Sequence, residues 1–388
     1  MQNFRFHTPT EVHFGRGAIE HLPAAIRRHG TRVLLVYGGG SIKRSGLYDR
    51  VRQLLEGCEI HELGQVEPNP RVTSVNAGAE LCRRHDIQVV LAVGGGSVID
   101  CAKAICTAAF YEGDAWDMIL DWSLSVKALP LVDVLTLSAT GSEFDGGSVI
   151  SNAETSEKMF ISHDFLQPVT SILDPEYTYS VDAWHTAAGA ADMMSHIMEV
   201  YFVMETTGLM DGICESVLRA VIANTPRVLS DPHDYNARAE LMWCASLACN
   251  GLCSLGNQPS TWACHAMEHE LSAYYDITHG VGLAIVTPRW MRHSLNEHTA
   301  VRFARFARNV FGIEDQSDQL AVARAGIKAL EDFFTAIGIP ATLGALKIGD
   351  EHIEDMARHM IDKYPADFST AIRPLAFEDV VAIYRACL

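Results

Sequence analysis

The 388-residue sequence is short of positive charge. Its 30 lysines and arginines face 48 aspartates and glutamates, which leaves a formal net charge of −18 and a pI near 5.3. Such a surface repels phosphate backbones and anionic lipid, so neither nucleic acid nor a membrane is expected as a partner. Long apolar runs are missing as well. None is long enough to span a bilayer, and Met1-Gln2-Asn3-Phe4-Arg5 does not read as a signal peptide. The ten cysteines include no Cys-x-x-Cys pair. In a chain of this length they read as reduced core residues of a cytoplasmic protein, not as a disulfide framework. There is no internal repeat, no low-complexity segment and no Pro-rich linker.

What is present is a chain with enough apolar residues, 48%, for sizeable cores, and a length that favours two domains. The first half alternates strand and helix signals. Val33–Tyr37, Val89–Val93 and Leu131–Thr136 are short apolar, β-branched runs, and helical stretches follow the first two around Gly46–Glu56 and Val98–Ala109. Continuous apolar strands alternating with helices predict a parallel sheet covered on both faces. Ligands of such sheets bind at the carboxyl ends of the strands. All three runs end there in small residues: Gly38-Gly39-Gly40-Ser41, Gly94-Gly95-Gly96-Ser97, and Thr136 to Ser142.

The turn Gly94 to Asp100 is the most informative of these. Glycines let a backbone approach a pyrophosphate, and the helix that follows offers unpaired N–H groups and a positive dipole end. The spacing is neither Gly-x-Gly-x-x-Gly nor a P-loop. A single such turn can be no more than a tight turn; three small-residue strand ends favour a nucleotide site. Lys158 lies in a polar stretch, Ala153 to Met159, where a lone lysine is usually a surface residue.

From about Asp182 helical patterns dominate, including Asp182–Thr206, Leu209–Ala223, Ala237–Leu252, Ser260–Tyr274, Asn296–Phe311, Gln319–Ile337 and Phe377–Cys387. The expected division is an α/β domain over 1–181 and a helical domain over 182–388. Two polar clusters stand out in the second half. Asp192 and His196 share one helix face at i, i+4, and so do His265 and His269, with His279 following. One carboxylate and three imidazoles leave a divalent ion with net positive charge, able to polarise an alcohol or carbonyl oxygen. The set suits iron or zinc without separating them. It is not the His-Glu-x-x-His of metalloproteases, since Ala266 follows His265. Among 17 histidines, pairs at helical spacing also arise by chance.

The chain resembles the iron-containing, metal-dependent alcohol dehydrogenase family, and within it the butanol-dehydrogenase-like branch. The resemblance rests on Thr10–Gly17, Tyr37–Ser41, Glu67–Pro70, Gly94–Lys103, Ala139–Glu143, Leu173–Pro175, Asp192–Glu199 and His265–Gly280. It implies an N-terminal parallel-sheet dinucleotide-binding domain followed by an all-α metal-binding domain, the dehydroquinate-synthase-like architecture, with the active site in the cleft between them. It implies NAD(P)-dependent interconversion of primary alcohols and aldehydes, and a family habit of forming dimers. By position it makes Asp192, His196, His265 and His279 the metal ligands and sets His269 near the substrate. Gly95, Gly96 and Ser97 match the pyrophosphate loop and Asp100 the acidic residue after it. Thr136, Leu137 and Thr140 match the adenine and ribose side, Lys158 a cofactor-contacting lysine, and Asn69 and Tyr177 flanking contacts. The chain departs from the branch at Ser138, often Pro, and at Asp145, often Asn. Asp145 is expected to bring negative charge near the cofactor.

Cofactor preference is expected to follow from Gly38, where NAD-preferring relatives tend to carry Asp. Gly38, Gly39 and Ser41 offer space, N–H groups and a hydroxyl, with Lys43 and Arg44 nearby, so NADP(H) is expected over NAD(H). One Fe2+ or Zn2+ is expected beside it, with His269 on the proton route. The alternative is a dehydroquinate-synthase-like lyase with bound NAD and a metal. Its phosphorylated, carboxylated substrate would call for basic residues, and Asn250–Tyr274 has no lysine or arginine.

Overall fold

The structure is a computed structural model that describes residues 1–314, 317–363, 368 and 371–388. It forms two compact units. One comprises His7–Val181 and Pro232–Ser246; the other comprises Met1–Phe6, Asp182–Asp231 and Leu247–Leu388.

The first unit is built on β1 (Glu11–Phe14), β2 (Arg32–Gly38), β3 (Glu59–Val66), β4 (Val89–Gly94), β5 (Leu131–Leu135), β6 (Gly147–Asn152), β7 (Glu157–Ser162) and β8 (Thr170–Leu173). Six strands form one sheet in the order β1-β8-β5-β4-β2-β3, every pairing parallel, and β6 and β7 form an antiparallel hairpin. In β2 and β4, Leu34, Val36, Val90 and Ala92 enter one core, and Val33, Leu35, Val89, Leu91 and Val93 enter the other. Alternate side chains thus feed opposite faces, and both faces are covered by helices, which is why these strands read as unbroken apolar runs.

The order matters for function. From β2 the chain steps outward to β3, then crosses back to place β4 on the other side of β2. The direction of winding therefore reverses between β2 and β4, and a crevice opens outside the carboxyl ends of strands at such a reversal. Gly38–Ser41 and Gly94–Ser97 are the segments that leave those two ends.

In the second unit the helices relevant to the site are Ala183–Tyr201, Ala263–Tyr275 and His279–Ser294. The first begins at Asp182, whose carboxylate accepts from the His185 N–H as an N-cap, and every residue from Thr186 to Tyr201 is buried. It ends at Tyr201, short of the expected Thr206. His279–Ser294 has no counterpart among the expected helices, because Gly280, Gly282 and Pro288 disguise it.

The helix Tyr235–Cys249 departs from the contiguous division at 181/182. Through Ser246 it groups with the α/β unit. Trp243 packs against Phe14 and Phe144 with ring centroids 5.9 Å away in each case, and Ser246 Oγ donates to Glu143 Oε1 at 2.5 Å. Among the described residues no helix is long and apolar enough to cross a membrane.

Candidate metal centre and cofactor cradle

Helix geometry assembles the polar clusters. Asp192 and His196 project from Ala183–Tyr201, His265 and His269 from Ala263–Tyr275, and His279 opens His279–Ser294. Asp192, His196 and His265 are buried, at 2%, 6% and 7% exposure. Nε2 of His196, His265 and His279 lie 3.4, 3.8 and 3.6 Å from the same atom, Asp192 Oδ1. That oxygen makes no hydrogen bond, and neither does Nε2 of His265. Buried polar atoms left unbonded at such a convergence are costly unless something charged is shared between them. A divalent cation fits that requirement.

Two carboxylates that the sequence reading did not assign complete the centre. Glu199 Oε1 lies 3.2 Å from His265 Nδ1 and accepts from the His265 backbone N–H at 2.9 Å. Glu268 Oε2 is hydrogen-bonded to His279 Nδ1, and Ser272 Oγ donates to Glu268 Oε1. With Nδ1 held, Nε2 of each ring is the atom turned toward Asp192, the arrangement by which outer carboxylates fix tautomer and orientation. The signal was available: Glu199 follows His196 by three residues and Glu268 follows His265 by three, so each shares a helix face with a ligand. Glu268→Gln should weaken metal affinity by about 10–100-fold, read by competition against a chelator, while the fold is retained.

Charge is strongly coupled here. Burial pushes the Asp192 carboxyl up, but His196, His279 and His265 outweigh it and hold it well below the usual range. Burial drives His196 down to about 3. His265 also loses by burial, yet Asp192 and Glu199 bring it up to about 9. His269 is buried, with its ring 5.6 Å from His279 and 6.4 Å from His265. It is thus beside the cluster, with a ligand atom within 4.8 Å of those of Glu268 and His279. Gly280 allows the close helix contact that brings His279 in, since a Cβ there would sit 1.9 Å from the Ala188 carbonyl oxygen.

In the α/β unit, Gly38–Ser41, Gly94–Ser97 and Thr136–Thr140 lie at the carboxyl ends of the adjacent strands β2, β4 and β5. Thr136 N–H donates to the Gly94 carbonyl at 2.9 Å, which draws the third segment onto the second. Close approach explains two glycines: a Cβ on Gly95 would lie 3.1 Å from Leu137 Cβ, and one on Gly96 would lie 2.3 Å from Thr140 Oγ1. The helix Gly96–Ala108 starts at Gly95 without a side-chain cap, leaving its first N–H groups for a phosphate. Asn69 is half-buried with φ +52°, and Tyr177 is half-buried, its hydroxyl pushed up to about 12 by burial and by Asp174.

Three expectations change at this site. Asp100 is an anchor. Its Oδ1 accepts from Ser142 Oγ at 2.5 Å and its Oδ2 from the Val149 N–H at 2.9 Å, so one oxygen holds the loop after β5 and the other holds β6. Burial raises its carboxyl to about 6 against the pull of Lys103 and those hydrogen bonds. Asp145 does not present a bare charge. Lys103 Nζ, fully buried, lies 2.7 Å from Asp145 Oδ1 and also donates to the Gly147 carbonyl at 2.8 Å. Lys158 is no surface residue: it sits in β7 opposite Ser151 and is 5% exposed.

Comparison with known proteins agrees with this geometry. The model of iron-containing alcohol dehydrogenase matches residues 9–175, and that of the Fe-containing alcohol dehydrogenase family C-terminal region matches 186–388. The chain belongs to the iron-containing alcohol dehydrogenase family. It is 48% identical over 388 residues to NADH-dependent butanol dehydrogenase A of Clostridium acetobutylicum, covering 99% of each chain. It is 38% identical over 347 residues to the NADPH-dependent aldehyde reductase YqhD of Escherichia coli, covering 88% of this chain and 89% of that one. The crystal structure of NADH-dependent butanol dehydrogenase A from Thermotoga maritima superposes with a TM-score of 0.95 at 40% identity, covering 100% of this chain and 99% of that chain. This member of the family is an NAD(P)H-linked alcohol/aldehyde oxidoreductase that uses a nicotinamide cofactor and a metal. The family match favours the dehydrogenase over the lyase alternative.

Proposed function

We propose that the chain reduces short and medium aldehydes to primary alcohols with NADPH, as a butanol-dehydrogenase-like aldehyde reductase. Asp192, His196, His265 and His279 hold one Fe2+ or Zn2+ in this reading. The carrying observation is the convergence of three imidazole Nε2 atoms on one unbonded Asp192 oxygen. Bound there, the ion would supply a Lewis acid for the carbonyl oxygen, and the nicotinamide would supply the hydride.

The protein's own residues do the rest. Asp192 contributes the negative charge of the set, and Glu199 and Glu268 keep two imidazoles aimed. The helix start at Gly95–Ser97 holds the pyrophosphate through backbone N–H groups, with Gly38, Gly39, Ser41, Asn69, Thr136, Leu137, Thr140, Lys158 and Tyr177 around the rest of the cofactor. His269, one turn from His265, returns the proton through water or a ribose hydroxyl. His269→Ala should lower kcat by about 100-fold with metal content intact; loss of the metal instead would make His269 a ligand.

Preference for NADPH is supported by the carboxyl end of β2, where Gly38–Ser41 has no carboxylate to repel a 2′-phosphate. The NADH-dependent butanol dehydrogenases A and B of Clostridium acetobutylicum, 48% and 45% identical to this chain, support the other cofactor. Gly38→Asp discriminates, because a Cβ there meets only ordinary or slightly tight neighbours, Val66 O at 3.3 Å and Val98 Cγ2 at 3.6 Å. The NADPH-to-NADH ratio of kcat/KM should fall by about tenfold or more, the worth of one misplaced charge. An unchanged ratio overturns the preference. The whole reading is tested by oxidation of NADPH and of NADH with butanal, on protein stripped of metal and reloaded with Fe2+ or Zn2+. No metal-dependent consumption with either cofactor, across several aldehydes, overturns it. A cytoplasmic homodimer belongs to the same reading, supported by ten cysteines that form no disulfide and by the family's habit.

A further inference from the structure

A second cluster of metal-ligating side chains lies in the α/β unit, outside the cofactor cradle. Glu59 and His61 are two apart on β3, so they project from the same face of that strand. His85 immediately follows the helix Val72–Arg84, which leads from β3 to β4. The three residues offer one ligand atom each, all within 4.8 Å of one another. His61 Nε2 is 2.8 Å from Glu59 Oε1, and the imidazoles of His61 and His85 lie parallel within 22°, centroids 3.8 Å apart.

We propose that Glu59, His61 and His85 form a second divalent-metal site, for a borderline cation such as zinc or nickel. Two imidazoles and a carboxylate are the donor set that such ions prefer, and partial exposure leaves the remaining positions to water. Among the described residues no lysine or arginine pairs with Glu59, whose partner is His61. A comparable stack of His13 on His21 differs on this point, because Glu11 beside it is bound by Arg28. The net charge of −18 raises the local concentration of cations. β3 is the outermost strand of the sheet, paired on one side only. An ion bridging it to the end of the following helix closes the edge βα unit with a clip and stabilises the folded state by mass action.

The test counts metal on the holoenzyme. After equilibrium dialysis against micromolar zinc, wild type should retain two equivalents per chain by elemental analysis. A His61→Gln/His85→Gln double variant should retain one, with aldehyde reduction unchanged. Asp192→Ala should also retain one, and zinc should still raise its Tm, an effect that the triple variant loses. This arm separates the edge site from the Asp192 centre, so failure of either is seen independently. A single equivalent in wild type, or two in the double variant, overturns the proposal.

Discussion

Asp192→Ala should empty the Asp192 centre of its metal, one equivalent fewer than wild type, and lower kcat/KM for aldehyde reduction by on the order of a thousandfold or more, as expected when several kcal/mol of charge stabilisation are withdrawn. Asp192 Oδ1 is the one atom to which the three Nε2 atoms are common neighbours, at 3.4–3.8 Å. It is also the carboxylate of the inner set. Without it a cation would face neutral donors alone in a buried pocket, with the Glu199 and Glu268 carboxylates each set behind an imidazole. His265 would lose one of the two partners that raise its pKa to about 9 and would turn to Glu199 alone. Metal analysis and kcat/KM check the outcome, with circular dichroism to confirm the helices. The same metal content as wild type, with activity within about tenfold of it, would remove Asp192 from the ligand set.

Asp145→Ala should destabilise the protein by about 3 kcal/mol, the lower end of the cost of breaking a buried ion pair by removing one partner. Lys103 has no exposure, so its ammonium group cannot turn to water, and it would be left donating to the Gly147 carbonyl. Asp145 Oδ1 also accepts from the Gly147 N–H at 2.7 Å, so the turn into β6 loosens as well. Urea unfolding reads the change as a lowered midpoint. Adding Lys103→Met should recover much of the loss, because the charge that needs a partner is then gone. Equal midpoints for the single and double variants would show that the Lys103 charge is not what Asp145 offsets.

Much of the site was legible before the structure because its ligands obey helix periodicity, and i, i+4 survives from sequence to space. The strands β2, β4 and β5 were legible because burial on both faces makes them continuous apolar runs. The edge strand β3 and the inner strand β8 were not: β3, Glu-Ile-His-Glu-Leu-Gly-Gln-Val, has only one buried residue, Val66, and reads as polar. β8 hides Thr170 and Ser171 in the core, where Ser171 Oγ donates to Asp133 Oδ2 at 2.5 Å and to the Glu143 carbonyl at 2.6 Å. Polar residues satisfied by distant partners carry no local pattern. The same holds for Lys103 with Asp145, 42 residues apart, and it is why a charge expected near the cofactor proves to be neutralised.

The helix Tyr235–Cys249 bears on how this protein can be cut. A fragment ending at Val181 would hold all eight strands yet leave the Glu143 carboxylate, raised to about 7 by burial, without the Ser246 hydroxyl that accommodates it. It would also uncover Phe14 and Phe144 where Trp243 now packs. The α/β half is therefore not a module that can be expressed, swapped or grafted by cutting once; any such piece must carry a later stretch of chain, Pro232–Ser246, with it.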